Sequence, residues 1–297
     1  MTKIEWTEQT WNPVVGCSLA SPGCTNCYAM RMAARLEAMS DGKHAPIGGK
    51  RGLGLSQYTG LTKSIKGKAV WTGKVAIVDD SALTAPLRRK KPTTYFVNSM
   101  GDLFHEDVPD EWIDKVSAVM ALCPQHTFQI LTKRAARMLR YFEGPFPDGN
   151  GVMARIADAT FQFIPQGALP PGFHGIECAI GPNGVPEFGW RRFLNIGPLT
   201  NVWLGVSCEN QANADERREH LRAIAEMGWT TMVSYEPALG PVDWTGWEWA
   251  SWIISGGESG PGARPSHPDW HRATRDFCQA NSIPYFFSNG ANGLPAT

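Results

Sequence analysis

The sequence predicts an α/β fold, a (β/α) barrel that is complete or partial, and three observations carry that expectation. Strand-like and helix-like segments alternate along most of the 297 residues. Apolar residues make up 42% and charged residues 19%, a balance that buries a substantial core and excludes intrinsic disorder. Three of the seven cysteines stand together between the first strand-like segment and the first helix, where parallel α/β folds place their chemistry. A doubly wound open sheet is the alternative built from the same units.

The elements follow from pattern and punctuation. Tyr28 to Ser40 has a helical period, with Ala29, Met32, Ala33, Leu36 and Met39 on one face and Gly42 as a stop. Lys74–Val78 and Tyr95–Asn98 are short β-rich runs. Pro109 opens a helix with Asp110 and Glu111 in its first turn and Trp112, Val116, Val119 and Met120 as its buried stripe. Strand His126–Thr132, helix Ala135–Tyr141, strand Asn201–Ser207 and helix Gln211–Met227 follow. Strands Thr231–Tyr235 and Ser251–Ser255, helix Pro268–Asn281 and strand Pro284–Phe287 complete a series of six to eight units with right-handed crossovers. Residues 144–200, with 18 Gly or Pro among 57, read as an inserted loop or small subdomain in a single domain spanning 1–297.

Lys+Arg and Asp+Glu are 28 each, so a uniformly basic nucleic-acid coat is excluded. The charge is nevertheless uneven. Residues 42–91 hold 11 of the basic residues and only Asp79 and Asp80 among the acids, a local +9 that the rest of the chain balances with −9. Within that segment Arg88, Arg89, Lys90 and Lys91 stand in a run, with Tyr58, Trp71 and Tyr95 interleaved or near, the footprint expected for a phosphate backbone. A solvated lysine-rich loop is the plain alternative. No stretch approaches 18 consecutive apolar residues, and the first residues lack the apolar core of a signal peptide, so a cytoplasmic protein without membrane association is expected. Seven cysteines in a reducing compartment then read as ligands, reactive thiols or core residues.

The most informative stretch runs Asn12-Pro13-Val14-Val15-Gly16-Cys17, six residues, then Cys24-Thr25-Asn26-Cys27-Tyr28-Ala29. Three thiolates on one loop can hold three irons of a [4Fe–4S] cluster and leave the fourth iron to a non-protein ligand. The competing reading is a structural zinc site completed by a residue such as His105, in a non-catalytic nucleic-acid-binding protein.

Asn-Pro-x-x-Gly-Cys…Cys-x-x-Cys-Tyr-Ala resembles the cluster loop of radical SAM enzymes, near the spore photoproduct lyase branch. It is most similar to a phage-associated family of unknown function with the C-x6-C-x2-C spacing. The resemblance extends through Phe96-Val97-Asn98-Ser99-Met100-Gly101-Asp102-Leu103-Phe104-His105, Leu131-Thr132-Lys133-Arg134, Val202-Trp203-Leu204-Gly205-Val206-Ser207, Tyr235-Glu236-Pro237 and Gly256-Gly257-Glu258-Ser259-Gly260. It implies a cluster held by Cys17, Cys24 and Cys27, with S-adenosylmethionine on the open iron. It further implies an electron donor of flavodoxin or ferredoxin type, reductive cleavage to a 5′-deoxyadenosyl radical, and hydrogen abstraction from a substrate. A nucleic acid or modified nucleotide, in a lyase, modification or repair reaction, is the substrate class expected. The chain departs from the superfamily in its wider spacing, in Asn26 where an aromatic is usual, and in Ser288-Asn289-Gly290 where related sequences have Lys-Gln-Trp-Gly.

On a barrel, polar side chains at the carboxyl ends of strands face the site. Ser207 and Glu209 share one face by the two-residue period, as do Ser234 and Glu236, while Cys208 points the other way. Asn98, Ser99 and Asp102 follow one strand, Lys133 ends the next, and Glu258 follows Ser251–Ser255. With Tyr28 in place of the missing aromatic, these residues are the expected S-adenosylmethionine pocket: carboxylates for the amine and diol, donors for the carboxylate. Gly256-Gly257-Glu258 resembles the Gly-Gly-Glu segment that binds the methionine amine in this superfamily. Cys278 is expected to lie in the core and Cys208 to have a packing role, while Cys123 precedes Pro124 at a helix end.

Overall fold

A computed structural model describes residues 4–40, 55–144, 151–160, 162–163, 178–180, 186–188, 198–260 and 262–288. Seven strands form one sheet: β1 (Gln9–Trp11), β2 (Thr94–Val97), β3 (Thr127–Thr132), β4 (Val202–Ser207), β5 (Thr230–Tyr235), β6 (Ile253–Gly256) and β7 (Tyr285–Ser288). Every pairing is parallel, and the order across the sheet is the order along the chain. A doubly wound sheet reverses its strand order at a switch point. This one never reverses, so successive right-handed crossovers all lay their helices on one face. The sheet curls about its other face into a half-barrel, the partial form of the expected fold.

The helices α1 (Tyr28–Ser40), α2 (Asp110–Ala121), α3 (Ala135–Glu143), α4 (Val152–Thr160), α5 (Gln211–Glu226) and α6 (Pro268–Ala280) agree with the sequence pattern, except for α4. That helix lies in the expected insertion yet packs on α2, where Arg155 pairs with Asp114 at 2.6 Å and Asp110 at 3.3 Å. Its neighbours in the insertion lie largely outside the described residues, as do residues 42–54 of the basic segment and Asn289-Gly290. Two further expectations are corrected. Within Lys74–Val78 only Ala76–Ile77 is extended, and it pairs antiparallel with Val14–Val15 outside the main sheet. In α1 the buried residues are Ala29, Met30 and Ala33, whereas Met32 is 41% exposed. The stripe turns toward Trp71, whose backbone N–H lies 3.4 Å from Met30 Sδ.

The main core lies between sheet and helices. Val97, Phe128, Ile130, Leu204, Val206, Val233 and Ile253 meet Ile113, Val116 and Val119 of α2, Leu221 and Ile224 of α5, and Cys278 of α6. Cys123, Cys208 and Cys278 are all fully buried there. The crossover from β5 to β6 has no helix. Tryptophans cover that gap, with Trp244 donating to Thr274 Oγ1 at 2.9 Å and Trp247 stacked on Trp249 at 5.3 Å. No helix among the described residues is long and apolar enough to cross a membrane.

The face away from the helices carries an aromatic layer: Trp6 contacts Phe96 and Trp252, and Trp252 contacts Trp203 and Phe286. Beyond that layer Gly205 makes room for a side chain from the next strand. A Cβ there would fall 2.4 Å from Met232 Cγ and 2.6 Å from the Met232 carbonyl oxygen. Overpacking of this kind costs about 1–3 kcal/mol. Gly205→Ala should therefore lower unfolding stability by that amount, with unchanged m-value, in urea denaturation.

Candidate metal centre

The cysteine loop leaves β1 and rises over the carboxyl ends of the strands. Gly16, at φ +94°, makes the turn into Cys17, and a Cβ there would lie 2.2 Å from the Lys74 carbonyl oxygen. Neither the dihedral nor the space admits another residue. Gly16 N–H donates to Met100 O at 3.1 Å, and Cys17 O accepts from Gly73 N–H at 3.2 Å. A single 3-10 turn, Pro22–Cys24, carries the chain to Cys27, which directly precedes α1.

The three thiols are free, and each sulfur meets an N–H donor. Cys17 Sγ lies 3.6 Å from Arg134 Nη1, and Cys24 Sγ lies 3.5 Å from the backbone N of Ala20. Cys27 Sγ is approached by the backbone N–H groups of Ala29 and Met30, the unpaired donors at the start of α1. The three feel one another. Burial, then the Asp102 charge, push the Cys17 thiol up to about 12 against the pull of Arg134, and Cys24 and Cys27 add to the rise. Burial and the charge of Cys24 raise Cys27 as well, opposed by its backbone donors and Lys133. Thiols held this high are poor nucleophiles at neutral pH, whereas a bound metal deprotonates its thiol ligands outright. The donor set therefore fits ligation better than covalent catalysis.

Among the described residues no three His, Cys, Asp or Glu side chains converge as ligands of a single ion. A cubane takes one thiolate per iron and needs its thiolates apart. Both ring nitrogens of His105 are engaged, Nε2 with Ser18 Oγ at 2.9 Å and Nδ1 with the Asp107 N–H at 3.1 Å.

The intervening loop residues are clamped by the strand ends. Arg134, just after β3, donates to Ser18 O at 3.2 Å and Ser18 Oγ at 2.7 Å, to Asp102 Oδ2 at 2.9 Å and to Glu106 Oε2 at 2.7 Å. Asp102 also accepts from Thr132 Oγ1 and the Phe104 N–H. Ser21 Oγ donates to Glu209 Oε1 at 2.6 Å, and Asn26 Nδ2 to Glu258 Oε2 at 2.9 Å. Exposed Tyr28 reaches Ser99 O at 2.8 Å, and Ser99 Oγ donates to Asn12 Oδ1. Asn98, at φ +59°, accepts from the Val14 N–H. A Cβ at Gly23 would lie 2.5 Å from Glu209 Oε1, so the loop closes directly on that carboxylate.

Most of the expected pocket residues thus hold the loop. Glu209 is fully buried, and Lys133 at 2.5 Å and Arg217 at 3.0 Å outweigh the desolvation that would raise its pKa. Glu258 is held down to about 2: burial alone would raise it, but hydrogen bonds from Arg264 and Asn26 prevail. Glu236 differs. Among the described residues its donors are Ser234 Oγ at 3.2 Å and the Ser288 and Trp6 side chains, none of them a cation, and burial, with the Glu5 charge, raises its pKa. Ser207 lies on the same face of the neighbouring strand. Arg88, Arg89, Lys90 and Lys91 lead into the amino end of β2, opposite the loop, where Arg88 donates to Thr84 and Ser81 and Arg89 to Thr93. Sequence reasoning missed Arg134, Arg217, Ser18 and Ser21. Only Arg134 carried a signal, its place in Leu131-Thr132-Lys133-Arg134.

Two outcomes test this geometry. Asp102→Ala should destabilise the protein by about 3–5 kcal/mol in chemical denaturation, because it leaves the buried Arg134 charge uncompensated. Glu258 has a depressed folded pKa, so its stabilisation is complete above the ordinary glutamate value and disappears as pH falls toward about 2. Glu258→Gln should flatten the acid limb of stability across that window.

Residues 1–293 match the model of a family described as a protein of unknown function, DUF5131. The searches of curated proteins and of solved structures returned no match.

Proposed function

The chain belongs to the DUF5131 family, and we propose that it is a radical SAM enzyme in which Cys17, Cys24 and Cys27 hold a [4Fe–4S] cluster with one iron open to S-adenosylmethionine. One observation carries the reading: three free thiols, each with an N–H donor to sulfur, on one loop braced over the carboxyl ends of a parallel half-barrel. When bound, such a cluster supplies the electron that cleaves S-adenosylmethionine to a radical able to abstract hydrogen. N–H···S bonds from Arg134, Ala20 and the start of α1 stabilise thiolate charge and favour the reduced state. Arg134, Glu209 and Glu258 fix the loop through Ser18, Ser21 and Asn26. They position the metal ligands and leave no free carboxylate oxygen for the amine.

That role falls to Glu236. A carboxylate held by neutral donors, its pKa raised by burial, is stabilised in its charged form by an ammonium group beside it. Ser207, Ser234 and Ser288 supply hydroxyls around it for the carboxylate and ribose. The aromatic layer below excludes water from that end of the site. The substrate class expected is a nucleic acid or modified nucleotide, and electrons come from a flavodoxin- or ferredoxin-type donor.

Iron and sulfide analysis of anaerobically purified protein tests the cluster directly. Each of Cys17→Ala, Cys24→Ala and Cys27→Ala should lose the cluster and all cleavage of S-adenosylmethionine, while Cys278→Ala keeps both. Full iron in Cys24→Ala would refute the assignment. Glu236→Gln and Ser207→Ala should weaken S-adenosylmethionine in anaerobic calorimetry by about tenfold or more, the loss of one charge-assisted hydrogen bond, with cluster content unchanged.

A further inference from the structure

Among the described residues, the basic side chains of the 42–91 segment fall mainly into two groups. Arg88–Lys91 lies at the amino end of the sheet, but Lys63, Lys66 and Lys68 stand on a β-ribbon fixed to the cysteine loop. Thr62–Ile65 pairs antiparallel with Lys68–Trp71 through the two-residue turn Lys66-Gly67, at φ +49° and +77°. Positive φ at both positions is the type I′ turn, which favours Asn, Asp or Gly at its first place, and this chain presents lysine there instead. At the base, Thr72 N–H donates to Leu61 O at 2.9 Å and Gly73 N–H to Cys17 O at 3.2 Å, while Trp71 is buried beside Met30 of α1. At the tip, Ile65 is 45% exposed, although most large apolar side chains of the described residues are covered. Residues 60–78 contain Lys63, Lys66, Lys68 and Lys74 and no acid.

A ribbon with an exposed aliphatic side chain between cations, in a stretch whose own sequence carries no acid, fits a polyanion with an apolar interior. We propose that this hairpin is a nucleic-acid duplex grip, its lysines on the phosphates flanking a groove and Ile65 against the base edges within. The major groove admits a two-stranded ribbon of this width. Four residues of strand rise about 13 Å, so a duplex held at the tip lies beside the loop that carries Cys17. The assignment rests on the proposed function only in naming its substrate class. Binding needs no cluster, so the two readings fail separately.

The test is fluorescence anisotropy of a short labelled DNA duplex with the full chain, both as purified and as Cys17→Ala. Three phosphate contacts predict that affinity falls at least about 40-fold between 50 and 200 mM salt, at ~0.9 per contact on the log–log slope. The triple variant Lys63→Gln, Lys66→Gln, Lys68→Gln should reduce that slope by about 2.7. Ile65→Ser should weaken binding with the slope unchanged. Lys66→Gly separates charge from folding: it gives the turn a residue suited to its φ, so stability should hold or rise while the slope drops by about 0.9. Equal affinity and slope in the triple variant would overturn the proposal. So would preference for a single strand, or binding to phosphatidylglycerol vesicles with none to the duplex.

Discussion

The cysteine loop depends on one buried ion pair. Arg134 and Asp102 lie 2.9 Å apart, with side chains 6% and 7% exposed, and neither could remain charged there alone. Their pairing is a geometric constraint more than a source of stability, because desolvating both charges offsets much of their attraction. What it fixes is position. Asp102 accepts from Thr132 and thereby sets the end of β3, while Arg134 carries that position to Ser18 and the Cys17 sulfur. A strand end and the cysteine loop are joined through five donors in a planar fork.

The same logic repeats around the rim. Glu209 sits between Lys133 and Arg217 and receives Ser21, and Glu258 sits against Arg264 and receives Asn26. Each acid has a cation behind it and a loop residue in front. Glu236 breaks the pattern, having hydroxyl and indole donors but no cation among the described residues. The contrast sets three strand-end acids paired with cations apart from one held by neutral donors.

The helices other than α4 and the strand parity were legible in the sequence because they follow from local period. Tyr28–Ser40 has its expected ends, and Ser234 and Glu236 meet at 3.2 Å as the two-residue alternation requires. The roles of the acids were not legible. Asp102, Glu209 and Glu258 were placed correctly at strand ends, but their partners lie far away in sequence, 188 residues for Ser21–Glu209 and 232 for Asn26–Glu258. Arg134 follows Lys133 and so falls on the opposite parity. The turn after β3 brings it back to the cysteines, a change of direction that strand alternation cannot show. Met32 failed for a related reason: the hairpin at Trp71, not the sheet alone, decides which face of α1 is covered.

The strand order has a temporal meaning as well. Each strand from β2 onward pairs with the one synthesised before it, so the sheet can extend as the chain emerges. The cysteine loop is made before the acids that clamp it. Its clamps at Glu209 and Glu258 do not exist until the ribosome has passed those codons, and in the interval Arg134, His105 and the backbone bonds to Gly73 and Met100 hold it. The thiols therefore gain their full set of restraints only after Glu258 has been made, so assembly of any metal centre there belongs to a chain that already includes β6.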